Sequence, residues 1–232
     1  MHCAVCARTG IGGGIYDRTV MSTPSARPAT PSCAPQPGGM SHPVERRVVA
    51  DATNHSEWLR ARAQGVTATD AAKLASRASI RAVAREKQYG SSFGGNRYSE
   101  HGRSREPIIA EWVKQTHGMS PSSRLFHAEH NRRHLATPDG MKVTPSGGLE
   151  LCEIKTCTRA WLSIPRHYLR QVWWQQYVLG AERTLVVWEQ HEDFVPVAPE
   201  PRTQWVSRDE DQIAILVHLA DELIAELGGK WT

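Results

Sequence analysis

The 232-residue sequence has no apolar run approaching the length of a membrane-spanning helix. Its start, Met1-His2-Cys3-Ala4, lacks the basic region and apolar stretch of a secretory leader, so the expected compartment is the cytoplasm. Cysteine is scarce. The five residues Cys3, Cys6, Cys33, Cys152 and Cys157 follow no regular spacing, which excludes a disulfide framework. Cys3-Ala4-Val5-Cys6 has no second pair to complete a zinc site, so no structural metal is expected. Neither sign of charge dominates: a formal net charge of +4 permits an acidic partner such as DNA without demanding one. Periodic apolar residues are also missing from the first 50 positions, which are rich in Gly, Pro, Ser and Thr. That composition predicts a disordered tail over 1–50, with Met21 and Met40 as alternative starts inside it, and a single folded domain over 51–232.

Within the domain, apolar spacing and cap residues predict helices over Ser56 to Arg62 and Thr69 to Lys87, then a glycine-rich loop from Gly90 to Gly95. A third helix is expected to begin at Glu106-Pro107, since proline favours the first helical position and Ile108, Ile109, Trp112 and Val113 follow at helical spacing. Thr184 to Trp188 reads as a core strand, reached from a helix over Ile164 to Gln175 that Gly180 stops. Ser207-Arg208-Asp209-Glu210 is a capping-box pattern with Ser207 as cap, and the last helix after it carries the apolar stripe Ile213, Leu216, Val217, Ala220, Leu223, Ile224 and Leu227. The order is α/β: a mixed central sheet flanked by helices.

The most informative segment joins Pro138-Asp139-Gly140 to Leu149-Glu150-Leu151-Cys152-Glu153-Ile154-Lys155 across a Gly147-Gly148 turn. It predicts a hairpin in which Glu153 and Lys155 share one face, while Ile154 and Cys152 point to the other. Carboxylates on adjoining strands suit a hard cation such as Mg2+, with Mn2+ as a substitute, which keeps sites for phosphate oxygens. A lysine beside them can orient water or offset charge on a phosphate under attack. Glu106 is a third candidate ligand or, alternatively, an acid that complements a helix dipole. Tyr168, Gln171 and Gln175 form a polar helical stripe that either faces the site or faces solvent above Trp173 and Trp174. Thr69 is a candidate cap whose helix would present free amides to a terminal phosphate, with Arg62, or as second choice Arg60, adding a charged fork; the alternative is an ordinary capped helix with surface arginines. The basic run Arg124, His127, His130, Arg132, Arg133 and His134 is either a path for a phosphate backbone or a solvated loop.

The order Gly102…Glu106-Pro107, Pro138-Asp139-Gly140, Glu153-Ile154-Lys155 and Tyr168-x-x-Gln171 resembles that of the YqaJ-type viral recombinases. This is the lambda exonuclease family of PD-(D/E)xK nucleases, and the resemblance runs from about Trp58 to Leu227. It implies a restriction-endonuclease-like core. It also implies metal ligands at Glu106, Asp139, Glu153 and the Ile154 carbonyl, a catalytic Lys155, a water-orienting or supporting Gln171, and phosphate contacts at Arg62, Thr69 and Tyr168. The family's second glutamine stands two residues after the first, a place taken here by Trp173. The implied activity is metal-dependent exonuclease digestion of linear duplex DNA from its 5′ ends. The implied partners are DNA ends, a single-strand annealing protein and further copies of the chain in a ring. A structure-specific or site-specific endonuclease on the same core and a non-catalytic DNA-end-binding protein are the alternatives.

Overall fold

A computed structural model of the chain describes residues 42–90 and 94–228. In chain order, a short 3-10 turn over Pro43–Arg47 leads to strand β1 (Val48–Asp51) and helices α1 (His55–Ala63), α2 (Ala68–Lys73), α3 (Arg77–Tyr89) and α4 (Arg97–His117). Strands β2 (Ser120–Pro121), β3 (Arg124–His127), β4 (Leu135–Ala136), β5 (Gly140–Val143) and β6 (Leu149–Cys157) come next. The chain ends with α5 (Arg166–Leu179), β7 (Arg183–Glu192), β8 (Val195–Pro196), β9 (Arg202–Ser207) and α6 (Glu210–Glu226).

The predicted hairpin is β5–β6, paired from Gly140 opposite Cys152 to Val143 opposite Leu149. Its turn closes through Thr144, which accepts from Gly148 N at 3.0 Å and bonds the Ser146 hydroxyl. From β6 the chain crosses through α5 to the parallel strand β7, in register from Glu150–Arg183 to Cys157–Gln190. The large sheet runs β2-β5-β6-β7-β8, with β9 also antiparallel to β7, and β1-β3-β4 form a second, smaller sheet. The sheet is thus mixed, and helices cover both of its faces, as the sequence pattern predicts.

Alternation along β6 divides its side chains between two cores. Leu149 and Leu151 join the larger core with Val172, Trp174 and Val178 of α5 and Ile213, Leu216, Ala220 and Leu223 of α6. Cys152 and Ile154 face the opposite way, against Ile109, Ala110 and Val113 of α4 and Leu185 and Val187 of β7. Burial on both faces explains why β6 and β7 are so apolar.

Four expectations are corrected. The 1–50 tail boundary falls inside β1: Val44 is fully buried, β1 pairs with β3, and Arg47 reaches the far end of α5. Residues 1–41 lie outside the described residues, as do 91–93 of the expected glycine loop. The helix drawn over Thr69 to Lys87 is two, α2 and α3, because Leu74 leaves helical geometry with ψ 91°. Glu106 does not open a helix; α4 starts nine residues earlier behind the Asn96 cap and carries Pro107 in its interior. Packing of Ile109, Ala110 and Val113 on the sheet outweighs the missing hydrogen bond at proline. For α6 the cap is Asp209, accepting from Gln212 N at 3.0 Å, and not Ser207.

Helix α5 is fixed at its far end. Gly180 ends it in the left-handed region at φ 75°, where glycine has no Cβ to clash. The last carbonyls receive arginines: Arg47 donates to Val178 O at 2.5 Å and Leu179 O at 2.9 Å, and Arg208 donates to Gln176 O at 2.7 Å. Both cations also complement the negative end of the helix dipole.

Candidate active site

Glu153 is the hub of the site. It is 1% exposed, and its two oxygens are filled by three donors. Lys155 Nζ and Gln171 Nε2, the latter at 2.5 Å, both reach Oε1, and Gln175 Nε2 reaches Oε2 at 2.6 Å. Period-two alternation sets Lys155 beside Glu153, and one turn of α5 separates the two glutamines, so both look at the same carboxylate. Asp139 stands just before β5, and its Oδ2 accepts from Ile154 N at 2.6 Å. Tyr168, one turn before Gln171, places its ring 5.2 Å from the Lys155 ammonium.

The polar stripe on α5 therefore faces the site. Gln175, which the family spacing left without a role, is the second glutamine on Glu153, while Trp173 packs in the core. The signal was present in the i, i+4 spacing of Gln171 and Gln175.

Crowding of acids shapes the electrostatics. The Asp139 carboxyl is pushed well above its usual range, first by burial and then by the charges of Glu153 and Glu106, against the pull of Lys155. Glu106 is raised as well, by lost hydration and the nearby Glu153 charge, with Lys155 opposing. For Lys155 burial works to depress the ammonium, but Glu153 and Asp139 outweigh it and the net direction is up. The Cys152 thiol, buried against α4, is raised by burial and by Asp139 and Glu153.

No three His, Cys, Asp or Glu side chains among the described residues are gathered tightly enough to hold a metal ion as they stand. The donor set nevertheless fits a hard divalent cation. It is all oxygen, it carries like charges that repel one another, and Mg2+ needs only one or two carboxylates beside water and substrate oxygens. Glu106, Asp139, Glu153 and the Ile154 carbonyl are the groups that would hold it.

Glu106, Ile154 and Lys155 line a cleft of about 690 Å3 at the end of β6, with Asp139 bonded to Ile154 and Glu153 to Lys155. Glu106, Arg103 and Tyr98 of α4 form one wall; Trp161, His167 and Tyr168 form the other, with Lys155 and Thr156 between them. The close approach of α4 to β6 depends on Gly102, where a Cβ would lie 3.2 Å from Thr156 Oγ1.

The residues read as phosphate contacts are placed less simply. Thr69 is not the cap of α2; Thr67 is, in a capping box with Asp70, and Thr69 lies exposed in the first turn. The two residues before Thr69 are already part of the cap and first turn because Val66 bridges to His134, which brings the helix start forward. Arg62 packs on Trp58, 4.3 Å from its ring, and burial lowers its pKa against the pull of Asp70. Helix α2 is tied to α5 by Arg170, which donates to Ala72 O at 2.9 Å. The basic run before Asp139 is architectural in part: Arg124 pairs with Glu45, and His134 is buried against Trp174 and bonded to the Tyr177 hydroxyl at 3.0 Å. His130 and Arg132 remain exposed.

A family model described as the YqaJ-like viral recombinase domain matches residues 57–182, more than half of the chain. The chain belongs to this family. No curated protein matches it significantly in sequence. Among solved structures, an alkaline exonuclease from Laribacter hongkongensis, LHK-Exo, is 23% identical with a TM-score of 0.58. Its complex with dAMP gives 23% and 0.59, and in both the match covers 76% of this chain and 94% of that one. A phage-related exonuclease from Haemophilus somnus 129PT is 18% identical with a TM-score of 0.52, over 71% of this chain and 96% of that one. The YqaJ-like chain thus has the restriction-endonuclease-like fold that its motifs implied. Among its described residues no helix is long and apolar enough to cross a membrane.

Proposed function

We propose that this YqaJ-like chain is a divalent-cation-dependent deoxyribonuclease that digests linear duplex DNA from its 5′ ends, leaving 3′ single strands for phage-type recombination. The observation that supports this most is the gathering of Asp139, Glu153 and Gln171 around Ile154 and Lys155, which with Glu106 line an open cleft. The similar folds of an alkaline exonuclease and a phage-related exonuclease agree with it. Bound at Glu106, Asp139, Glu153 and the Ile154 carbonyl, Mg2+ or Mn2+ would supply Lewis-acid stabilisation of the phosphate under attack.

The chain's own residues do the rest. Gln171 and Gln175 hold the Glu153 carboxylate in one orientation, and the Ile154 amide holds Asp139. Lys155 orients the attacking water or offsets charge building on the scissile phosphate. Tyr168, which lines the cleft, and Arg62 contact DNA phosphates. A single-strand annealing protein is the proposed partner, a homo-oligomeric ring the proposed assembly, and the cytoplasm the proposed compartment.

The test is Mg2+-dependent digestion of linear duplex labelled at either end, beside closed circular DNA, with Lys155→Ala as control. Loss of nucleotides from the 5′ ends of linear DNA alone, absent in the variant, is the expected result. Cutting of circles would replace the reading with an endonuclease, and binding without cutting would replace it with an accessory protein.

A further inference from the structure

Glu106 sits at a mechanically weak point. Pro107 follows it inside α4 and has no N–H, so the Arg103 carbonyl loses its helical donor and the turn that carries Glu106 loses a hydrogen bond. Glu106 itself lines the cleft together with Ile154 and Lys155, the residues bonded to Asp139 and Glu153. Packing of Ile109, Ala110 and Val113 holds the helix on the sheet just beyond the proline, so the setting of the turn before it depends on contacts within that turn.

The residue next to Glu106 supplies one. Arg105 donates to both oxygens of Glu189 on β7, Nε at 2.8 Å and a terminal nitrogen at 2.6 Å. Glu189 is 5% exposed, so its charge is committed to this fork. On the sheet Glu189 is in register with Thr156 of β6, the residue against which Gly102 brings the helix close. Two contacts at one level of the sheet, Gly102 on Thr156 and Arg105 on Glu189, therefore fix the height and rotation of the turn from which Glu106 reaches the cleft.

We propose that Arg105 and Glu189 are positioning residues that hold Glu106 as a cation ligand across the proline-weakened turn of α4. The pair touches neither phosphate nor cation and acts only through Glu106. This rests on the cation-dependent reading of the site given above.

The experiment is calorimetric titration of Mn2+ into the full chain without DNA, comparing wild type, Glu189→Gln, Arg105→Lys and Glu106→Gln. Glu189→Gln keeps shape while weakening the fork; Arg105→Lys keeps charge while losing it. Each is expected to raise the Mn2+ dissociation constant by about 10- to 100-fold, the usual effect of losing a group that orients a ligand. Cleavage should show the same shift in half-saturating cation, with kcat recovered at saturating cation. In the Glu106→Gln background, Glu189→Gln should add no further loss, because its effect passes through Glu106. Unchanged Mn2+ affinity in both Glu189→Gln and Arg105→Lys, or an equal further loss without Glu106, would overturn the assignment. A wild-type protein that binds no Mn2+ would remove the function reading itself, and this inference with it.

Discussion

Arg47 lies within the segment that composition alone assigns to a tail, yet it is joined to three backbone carbonyls: His127 O at 2.9 Å, Val178 O at 2.5 Å and Leu179 O at 2.9 Å. Replacing it by methionine keeps the aliphatic stem and removes every donor. A hydrogen bond from a charged group is worth about 1.5–3 kcal/mol net, so three set an upper bound of about 4–9 kcal/mol. Burial depresses the Arg47 pKa, which shows that the cation itself loses hydration in this place. Allowing for that and for Gly180 still ending α5, a loss of about 3–5 kcal/mol is expected, a large part of the ~5–15 kcal/mol typical of a domain. For a folded region of this size that is a fall of about 6–20 °C in the midpoint of thermal unfolding. Relative to a chain beginning at His42, one beginning at residue 51 should lose at least as much as Arg47→Met, since β1 and buried Val44 go too. Equal midpoints for the chains starting at 42 and 51 would refute the reasoning, and so would an Arg47→Met shift under about 2 °C.

Other outcomes follow from the same contacts. Asp139→Asn keeps an acceptor for Ile154 N and removes one of the crowded acids, so cation-free protein should melt higher than wild type while Mg2+ no longer raises its midpoint and cleavage is lost; a lower midpoint without cation would sink the crowding argument. His134 carries a pKa lowered by burial and only partly restored by Asp221, so the unfolded chain takes up its proton more readily than the native one. Its contribution to stability is present above the unfolded value of about 6.5 and lost as pH falls through the lowered folded value. Midpoints measured from pH 8 to 5 should fall more steeply for wild type than for His134→Gln, and parallel curves would show that His134 does not titrate in this way.

What depends on neighbours along the chain is legible in the residues alone. Alternation in Leu149 to Lys155 places Glu153 and Lys155 on one face because a strand turns its side chains by half a revolution per residue, and the Gly147-Gly148 turn brings Asp139 alongside without help from any other element. The spacing of Tyr168, Gln171 and Gln175 likewise puts one stripe of α5 in line, although only packing against β6 decided that the stripe faces Glu153 and not solvent.

Elements whose local preference is overruled by burial become visible only in the folded chain. Pro107 reads as a helix start, but the apolar face of α4 gains more on the sheet than the proline loses. Thr67 takes the cap that Thr69 was expected to supply, since Val66 is held by the strand at His134. His134 and Arg124 resemble a DNA-facing run in sequence, and the fold spends them on Tyr177 and Glu45. The Arg105–Glu189 fork joins residues 84 positions apart, and no local pattern encodes a partner at that distance; it exists because α4 crosses β6 and β7 where Gly102 lets the helix come close.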